Sequence, residues 1–149
     1  MIALLQRVSQ GKVAVDGTTA GEIGRGLVIF LGVFRDDEEE DGEFLARKIS
    51  TFRIFDDASG KMNLSMKEVG GTALVVSQFT LCADWLRGRR PSFVKAAPPE
   101  KGERLYNHFI ARLTEGGVPV QSGVFGAMMK VTLINDGPVT FVLDSNARS

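Results

Sequence analysis

Two uninterrupted apolar runs constrain the fold of this chain more than any other feature. The first, GLVIFLGVF, spans residues 26–34, and the second, TALVV, spans residues 72–76. A strand with one solvated face alternates apolar and polar residues, whereas a strand covered on both faces is apolar throughout. Gly24 and Gly26 mark a turn before the first run. We therefore predict two buried strands at the centre of a sheet.

Shorter segments predict further strands around this centre. Val13 and Val15 alternate with polar or small residues before a turn at Asp16-Gly17. Strand-like stretches also occupy residues 2–9 and, in the last third of the chain, PVQSG, MMKVTLIND and PVTFVLDS. We therefore predict about seven or eight strands in total.

Two longer helices are predicted between these strands. Acidic residues at 36–40 suit the positive end of a helix dipole, and Leu45, Ile49 and Phe52 follow at helical spacing. The second helix begins at Pro98-Pro99, ends at Gly116-Gly117 and has an apolar stripe formed by Leu105, Phe109 and Leu113. The pattern indicates an α+β fold with helices packed on a mainly antiparallel or mixed sheet.

Charge and cysteine content limit the class of protein. The chain of 149 residues suits one domain, and its 18 basic residues equal its 18 acidic residues. Overall charge therefore cannot hold it on nucleic acid, although a local basic patch can. The single Cys82 fits a reducing compartment. With no apolar run of membrane length and no signal-like N-terminus, we expect a cytoplasmic protein without a membrane partner.

Standard catalytic and metal-binding patterns are missing. His108, the single histidine, falls one step from the apolar stripe of the second helix and is interpreted as a helix-surface or interface residue. Cys82 is interpreted as a small buried hydrophobe, and the acidic run 38–41 as a solvated helix start. We therefore expect neither a metal nor a cofactor.

Two stretches suggest function. Ser77, Gln78, Phe79 and Thr80 follow the second apolar run, where polar residues can line a pocket or simply point outward from a strand. Arg87, Arg89 and Arg90 surround a glycine and suit phosphate groups, although a solvated basic loop gives the same pattern.

A third stretch of interest is NDGPVT, residues 135–140, in which a proline follows an Asp-Gly pair. Asp-Gly alone closes a hairpin, and a following proline is not required for that. An ordinary hairpin turn is the plain interpretation of Gly137-Pro138. The alternative is that this pair serves a site.

These stretches together resemble the D-aminoacyl-tRNA deacylases of the bacterial and eukaryotic type. The similarity runs nearly end to end, and SQFTL and NDGPVT are its most specific motifs. The matching segments are ALLQRV (3–8), GEIGRGLVIFLGV (21–33), LARKI (45–49), RIFDD (53–57), GKMNLS (60–65), LVVSQFTL (74–81), GRRPSF (88–93), APP (97–99) and NDGPVT (135–140). The resemblance implies one barrel-like α+β domain over residues 1–149.

The resemblance also implies an activity. A homodimer would hydrolyse the ester that joins a D-amino acid, or wrongly attached glycine, to the 3′ end of tRNA, without acting on DNA. Gly137-Pro138 would be cis, enter the partner subunit's site and reject L-amino acids, with Arg7 as its brace. A glycine substrate has no side chain to reject.

Ser77, Gln78, Phe79 and Thr80 match the reaction pocket that the resemblance implies. Backbone N–H groups there can stabilise an oxyanion. Because no base accompanies Thr80, we expect attack by water with help from the ribose 2′-hydroxyl, and a positioning role for Thr80. Departures from the usual family sequence at Ile2, Trp85-Leu86 and Met128 affect the expected tRNA-contact surface.

Two rival functions stay open at this point. The same motifs could bind an aminoacylated tRNA end, or DNA, without hydrolysing anything. The chain could also form a purely structural dimer in which Gly137-Pro138 is a simple turn. Incubation with D-tyrosyl-tRNA separates them, since the ester would be hydrolysed, protected or unaffected.

Overall fold

A computed structural model describes residues 1–148 as eight strands and two helices, which confirms the predicted α+β class. The strands are β1 Ile2–Val15, β2 Thr18–Ile23, β3 Gly26–Gly32, β4 Phe55–Asp56, β5 Met62–Leu64, β6 Thr72–Ser77, β7 Val120–Ser122 and β8 Lys130–Asp144. The helices are α1 Glu39–Thr51 and α2 Pro99–Glu115. Short 3₁₀ helices cover Phe79–Cys82 and Ser145–Ala147.

The main sheet is mixed and is organised around the long strand β1. One edge of β1 pairs antiparallel with β8, and the other pairs antiparallel first with β3 and then with β2. The two buried strands predicted from the apolar runs, β3 and β6, lie side by side in parallel, and β7 continues the parallel pairing. β4 and β5 form a separate small hairpin sheet.

The sheet curls into a nearly closed barrel, as expected. β2 returns so close to β7 that a Cβ on Gly21 would lie 2.8 Å from the carbonyl oxygen of Ser122. Only glycine permits that approach of two backbones. The barrel interior is filled by a cluster of buried apolar side chains: Val8, Val13, Ile23, Val28, Leu74 and Val76.

The helices cover the other face of the sheet. The α2 stripe is fully buried, with Leu105 at 1% and Phe109 and Leu113 at 0% exposure. Leu45 and Ile49 of α1 join the same core, while Phe52 stands just after the helix end. The two predicted apolar faces are therefore confirmed. Among residues 1–148, no helix combines the length and the apolar character that a membrane crossing needs.

The acidic run at the start of α1 differs from the expectation of a fully solvated start. Glu38, Glu39 and Glu40 are exposed, but Asp41 is buried. Its carboxylate accepts hydrogen bonds from the Glu38 N–H at 2.8 Å, Ser145 Oγ at 2.8 Å and Arg148 Nη1 at 2.6 Å. Burial acts to raise the pKa of Asp41, but these hydrogen bonds outweigh it and lower the pKa to about 2.

The C-terminal strands also differ from the prediction. The segments predicted as two strands are two halves of β8, and both halves pair with β1. Asn135 lies opposite Val8 and Thr140 opposite Gln6, so residues 136–139 are extra residues opposite Arg7. The segment is thus an irregular four-residue bulge within one strand, and the hairpin interpretation is wrong.

Candidate active site

Residues 77–80 lie where the buried parallel strands end. Ser77, the last residue of β6, pairs with Leu31 of β3, and the Gln78 N–H donates to the Leu31 carbonyl at 2.8 Å. The chain then leaves the sheet as a 3₁₀ helix beginning at Phe79. The Phe79 ring is 56% exposed. The structure therefore presents this segment at the surface, on a backbone fixed by the sheet.

Two backbone donors are free at this point. Phe79 and Thr80 are the first two residues of the 3₁₀ helix, so their N–H groups have no acceptor within it. Across residues 1–148 neither N–H has another acceptor. Such paired donors can hold a developing negative charge on an oxygen atom.

Thr80 has no basic partner in the described part of the chain. Its hydroxyl accepts a very short hydrogen bond from the Gln78 side-chain amide, which carries no charge and cannot take a proton. Cys82 follows two residues later and is buried, as predicted. That burial, aided by nearby Asp37, raises the pKa of the Cys82 thiol to about 11. Neither side chain is therefore activated as a nucleophile.

The Gly137-Pro138 peptide bond is cis, as predicted, and Gly137 has a φ of +133°. A Cβ at Gly137 would lie 2.7 Å from Val139 Cγ2 and 3.1 Å from Arg7 Nη2. An L side chain rarely adopts this φ, and the space around it is already filled. The sequence therefore needs glycine at 137 for both backbone and packing reasons.

Arg7 is the buried support of this bulge, with 8% exposure. Its Nε donates to the Asp136 carbonyl at 3.1 Å, and its Nη1 donates to the Ile54 carbonyl at 2.9 Å and to Asp56 Oδ1 at 3.2 Å. A guanidinium fits this role because its donors lie in a fixed plane. The backbone next to Gly137 is thus tied to β1 and to the segment after α1.

Sequence reasoning missed Ile54, Asp56 and Asn135 as supports. Asn135 Oδ1 accepts from the Val139 N–H at 3.1 Å, and its Nδ2 donates to Thr140 Oγ1 at 3.0 Å. The side chain spans the base of the bulge. Asparagine favours such local contacts, so the Asn-Asp-Gly sequence carried a signal for it. Ile54 and Asp56 carried none, because they lie about fifty residues from Arg7.

The structure places the two motifs apart within one chain. Arg7, opposite the bulge, has Leu27 beside it in β3 and Ala73 beside that in β6. Ser77 lies four residues further along β6, which is about 13 Å at strand spacing, and three strands from β8, which is about 14 Å. Residues 77–80 and 136–138 do not form one pocket in a single chain.

The arginine segment forms an exposed loop beside residues 77–80. Asp84 and Ser92 exchange backbone hydrogen bonds at 2.8 and 2.9 Å and close its base. All residues from 85 to 95 are exposed. Phe93 contacts the Phe79 ring, with ring centroids 5.0 Å apart. The loop that carries Arg87, Arg89 and Arg90 is therefore anchored to the candidate site.

His108 lies between the helices, as predicted, with Nε2 3.1 Å from Glu43 Oε1. Glu39, Glu43 and His108 bring three ligand atoms within 4.8 Å, a grouping not apparent from the sequence. Arg104 lies 3.4 Å from Glu39, and Arg112 lies 3.6 Å from Glu43. The carboxylates are already balanced by these cations, and the cluster belongs to the helix pair rather than to the sheet end.

Known proteins resemble this chain along nearly its whole length. The family described as D-Tyr-tRNA(Tyr) deacylase matches residues 4–144. A D-aminoacyl-tRNA deacylase of Geobacter sulfurreducens is 54% identical over 149 residues, covering 100% of this chain and 98% of that protein. One of Thermotoga petrophila is 57% identical over 146 residues, covering 98% of each.

Two solved structures have the same fold. One, a c-Myc DNA Unwinding Element Binding Protein, is 39% identical with a TM-score of 0.90, covering 97% of this chain and 98% of that one. The other, described as a probable eukaryotic D-amino acid tRNA deacylase, is 20% identical with a TM-score of 0.82, covering 96% and 98%. The second likeness concerns the fold alone.

The fold and the site define a structural class. It is a mixed β-barrel covered by two helices, with a buried arginine that supports a glycine-proline bulge. The chain belongs to the D-Tyr-tRNA(Tyr) deacylase family, which confirms the resemblance inferred from its motifs.

Proposed function

We propose that this chain is an editing hydrolase that removes D-amino acids, and wrongly attached glycine, from tRNA in the cytoplasm. The observation that carries the proposal is the combination of two features in a member of this family. Free N–H groups lie at Phe79 and Thr80, and a glycine-proline bulge is held by buried Arg7. One deacylase domain then accounts for residues 1–149.

The proposed reaction is ester hydrolysis by water. The ester carbonyl oxygen accepts hydrogen bonds from the Phe79 and Thr80 N–H groups, which stabilise it as charge develops. Water attacks the carbonyl carbon, the bond to the ribose 3′-oxygen breaks, and that oxygen receives a proton with the help of the 2′-hydroxyl. Ser77 and the Gln78–Thr80 side-chain pair position the ester, since none of them has a base beside it.

Chiral selection in this proposal comes from the backbone at Gly137 and Pro138. Backbone atoms held by Arg7 and Asn135 move less than side chains do. An L side chain collides with them, a D side chain points elsewhere, and glycine has nothing to collide. Rejection of the wrong hand then requires no recognition of any particular side chain.

A homodimer completes the proposed site. The motifs of one chain lie too far apart to meet, but Asp136, Gly137 and Pro138 are exposed and can reach a neighbour. In addition, β8 has a strand partner on one edge only within residues 1–148, and Ile134 and Val142 on it are 51% and 62% exposed. A long exposed edge strand is usually covered, and a two-fold dimer covers it.

Mixing two inactive variants tests this arrangement. Phe79→Pro removes one of the two free N–H donors, and Gly137→Ala damages the bulge. If sites form across a two-fold interface, each mixed dimer regains one intact site, and random exchange restores about a quarter of wild-type activity. No recovery, with exchange of chains demonstrated, would show that each chain builds its site alone.

The chemistry is tested on D-tyrosyl-tRNA. We expect Thr80→Ala to keep substantial activity and tRNA ending in 2′-deoxyadenosine to be hydrolysed far more slowly. A trapped acyl-enzyme on Thr80 would contradict water attack. Exhaustive chelation should leave the rate unchanged, and a loss restored by one divalent ion, with tRNA folding controlled, would reveal a metal requirement.

Nucleic-acid binding without hydrolysis is the second candidate. It is favoured by the name of the 39% identical protein, which refers to DNA binding, and by the exposed arginine loop. In our proposal Arg87, Arg89 and Arg90 contact tRNA phosphates instead. Protection of D-tyrosyl-tRNA from spontaneous hydrolysis, or tighter binding of duplex DNA than of tRNA, would favour the second candidate.

A further inference from the structure

Trp85 projects from the arginine loop without any visible structural role. It is 74% exposed, and its neighbour Leu86 is 77% exposed. Large apolar side chains this exposed stabilise nothing in the isolated chain, and a pair of them side by side indicates a contact surface. The exposed pair therefore indicates that the loop contacts a partner molecule.

The charge of the loop indicates which partner. Between Trp85 and Lys95 the sequence WLRGRRPSFVK carries four basic residues and no acid. Asp84 at the base is already paired with Lys95, at 3.7 Å. Arg87, Arg89 and Arg90 have no ion pair among residues 1–148. An exposed ring among unpaired cations suits an unpaired nucleic-acid strand, whose base stacks on the ring while its phosphates meet the arginines.

The position of the loop indicates which part of the nucleic-acid strand it contacts. The contact between Phe93 and Phe79 fixes the loop base beside the candidate active site. Asp84 and Ser92 pair at the base, and Trp85 directly follows Asp84, so its Cα lies about 3.8 Å from the paired residue. That distance corresponds to about one stacked nucleotide. Trp85 therefore lies within reach of the unpaired nucleotides next to the reacting 3′ end.

We propose that Trp85 is a positioning residue that stacks on an unpaired base just before the terminal adenosine of tRNA. This inference rests on the proposed function, because it takes tRNA as the ligand. Leu86 lies beside Trp85 but lacks a ring, and it serves as the matched control.

Intrinsic fluorescence tests the stacking directly, since Trp85 is the only tryptophan in the chain. We expect saturable quenching of its emission by uncharged tRNA and little quenching by the same tRNA trimmed of its unpaired 3′ nucleotides. Equal quenching by both, or none by either, would overturn the proposal. So would an emission shift on diluting the protein without RNA, because Trp85 would then face a second copy of the chain.

Steady-state kinetics on D-tyrosyl-tRNA give the second readout. Trp85→Ala should raise KM by about 5- to 150-fold with kcat unchanged, as expected for loss of one stacked base. Trp85→Phe should restore most of the loss, and Leu86→Ala should change KM less than twofold. Equal effects of Trp85→Ala and Leu86→Ala would indicate apolar docking and contradict stacking.

The two readouts separate this inference from the function on which it rests. If the wild-type chain hydrolyses D-tyrosyl-tRNA and its emission does not change, only the stacking is wrong. If it quenches on tRNA and hydrolyses nothing, the stacking stands and the proposed reaction is wrong. The thermal midpoints of the variants should match the wild type, because the replaced side chains are exposed.

Discussion

The bulge at residues 136–139 and the loop at residues 85–91 both present exposed residues next to a proposed site, yet they are built in opposite ways. The bulge is tied by Arg7 and Asn135 through hydrogen bonds of 2.9–3.1 Å. The loop is closed at Asp84 and Ser92, and beyond that its only further hydrogen bond within residues 1–148 is from the Leu86 N–H to Asp84.

This difference corresponds to two tasks. A segment that distinguishes mirror-image substrates must hold its atoms within a fraction of an ångström, and buried charge-assisted hydrogen bonds achieve this. A segment that receives a flexible strand gains from side chains that can adjust. Substitutions in the bulge should therefore affect mainly stability and selectivity, and substitutions in the loop mainly binding.

Arg7→Ala should have the largest effect. It removes the donors of two backbone carbonyls, including the buried Ile54 contact, and we expect a loss of about 3 kcal/mol in the free energy of unfolding. Discrimination between D- and L-tyrosyl-tRNA should fall with it. Urea denaturation and parallel assays on both substrates measure the two effects.

Asp56→Ala is the control for Arg7. It removes only the half-exposed carboxylate partner and leaves both carbonyl contacts of Arg7 in place, so it should destabilise the fold less than Arg7→Ala does. Equal destabilisation by the two substitutions would mean that the ion pair, rather than the carbonyl contacts, holds the bulge.

Gly137→Ala should have the next largest effect, about 2 kcal/mol, because a Cβ would meet Val139 and Arg7 at an unfavourable φ. Gly88→Ala in the loop is the matched comparison. Gly88 also has a positive φ, +68°, but a Cβ there meets nothing within 4 Å. We expect about 1 kcal/mol from that backbone effect alone. If denaturation showed similar losses of stability at both positions, packing against Val139 and Arg7 would not explain the effect at Gly137.

Asp41, which lies outside both segments, should account for most of the stability that the protein loses in acid. Its folded pKa of about 2 lies below the ordinary value of 3.8, so its ionised form stabilises the fold by about 2 kcal/mol. This contribution is complete above about pH 5 and is lost as the pH falls from about 4 to 2. Asp41→Asn should lower stability at neutral pH and flatten the curve of stability against pH. An unchanged curve would place the acid sensitivity elsewhere.

Removing the charges of Arg87, Arg89 and Arg90 together should have the smallest effect on stability, below about 0.5 kcal/mol. Affinity for tRNA should fall, and the slope of log Kd against log salt should decrease by up to about 2. Selectivity between D and L substrates should not change. Altered selectivity at unchanged affinity would place the loop in the pocket. Removing Arg47 and Lys48, exposed on α1, is the control and should leave the salt slope unchanged.

Local patterns in the sequence determined most of the secondary structure and the two segments of interest. The apolar runs predicted the buried strands β3 and β6, and the helical stripe predicted the buried face of α2, because the spacing of apolar residues reflects burial on one or both faces. Gly137 and Arg7 were identifiable from NDGPVT and ALLQRV through the family resemblance. Glycine permits a positive φ and the adjacent proline fixes its own φ, wherever the segment packs.

The tertiary structure alone decided what those residues touch. That residues 130–144 form one bulged strand depends on β1, which pairs with both halves and lies more than a hundred residues away. The partners of Arg7 at Ile54 and Asp56 and the burial of Asp41 against Ser145 arise in the same way. Hydrogen bonds between distant segments, and the exclusion of water from a carboxylate, depend on which elements pack together. Residue spacing along the chain does not contain that information.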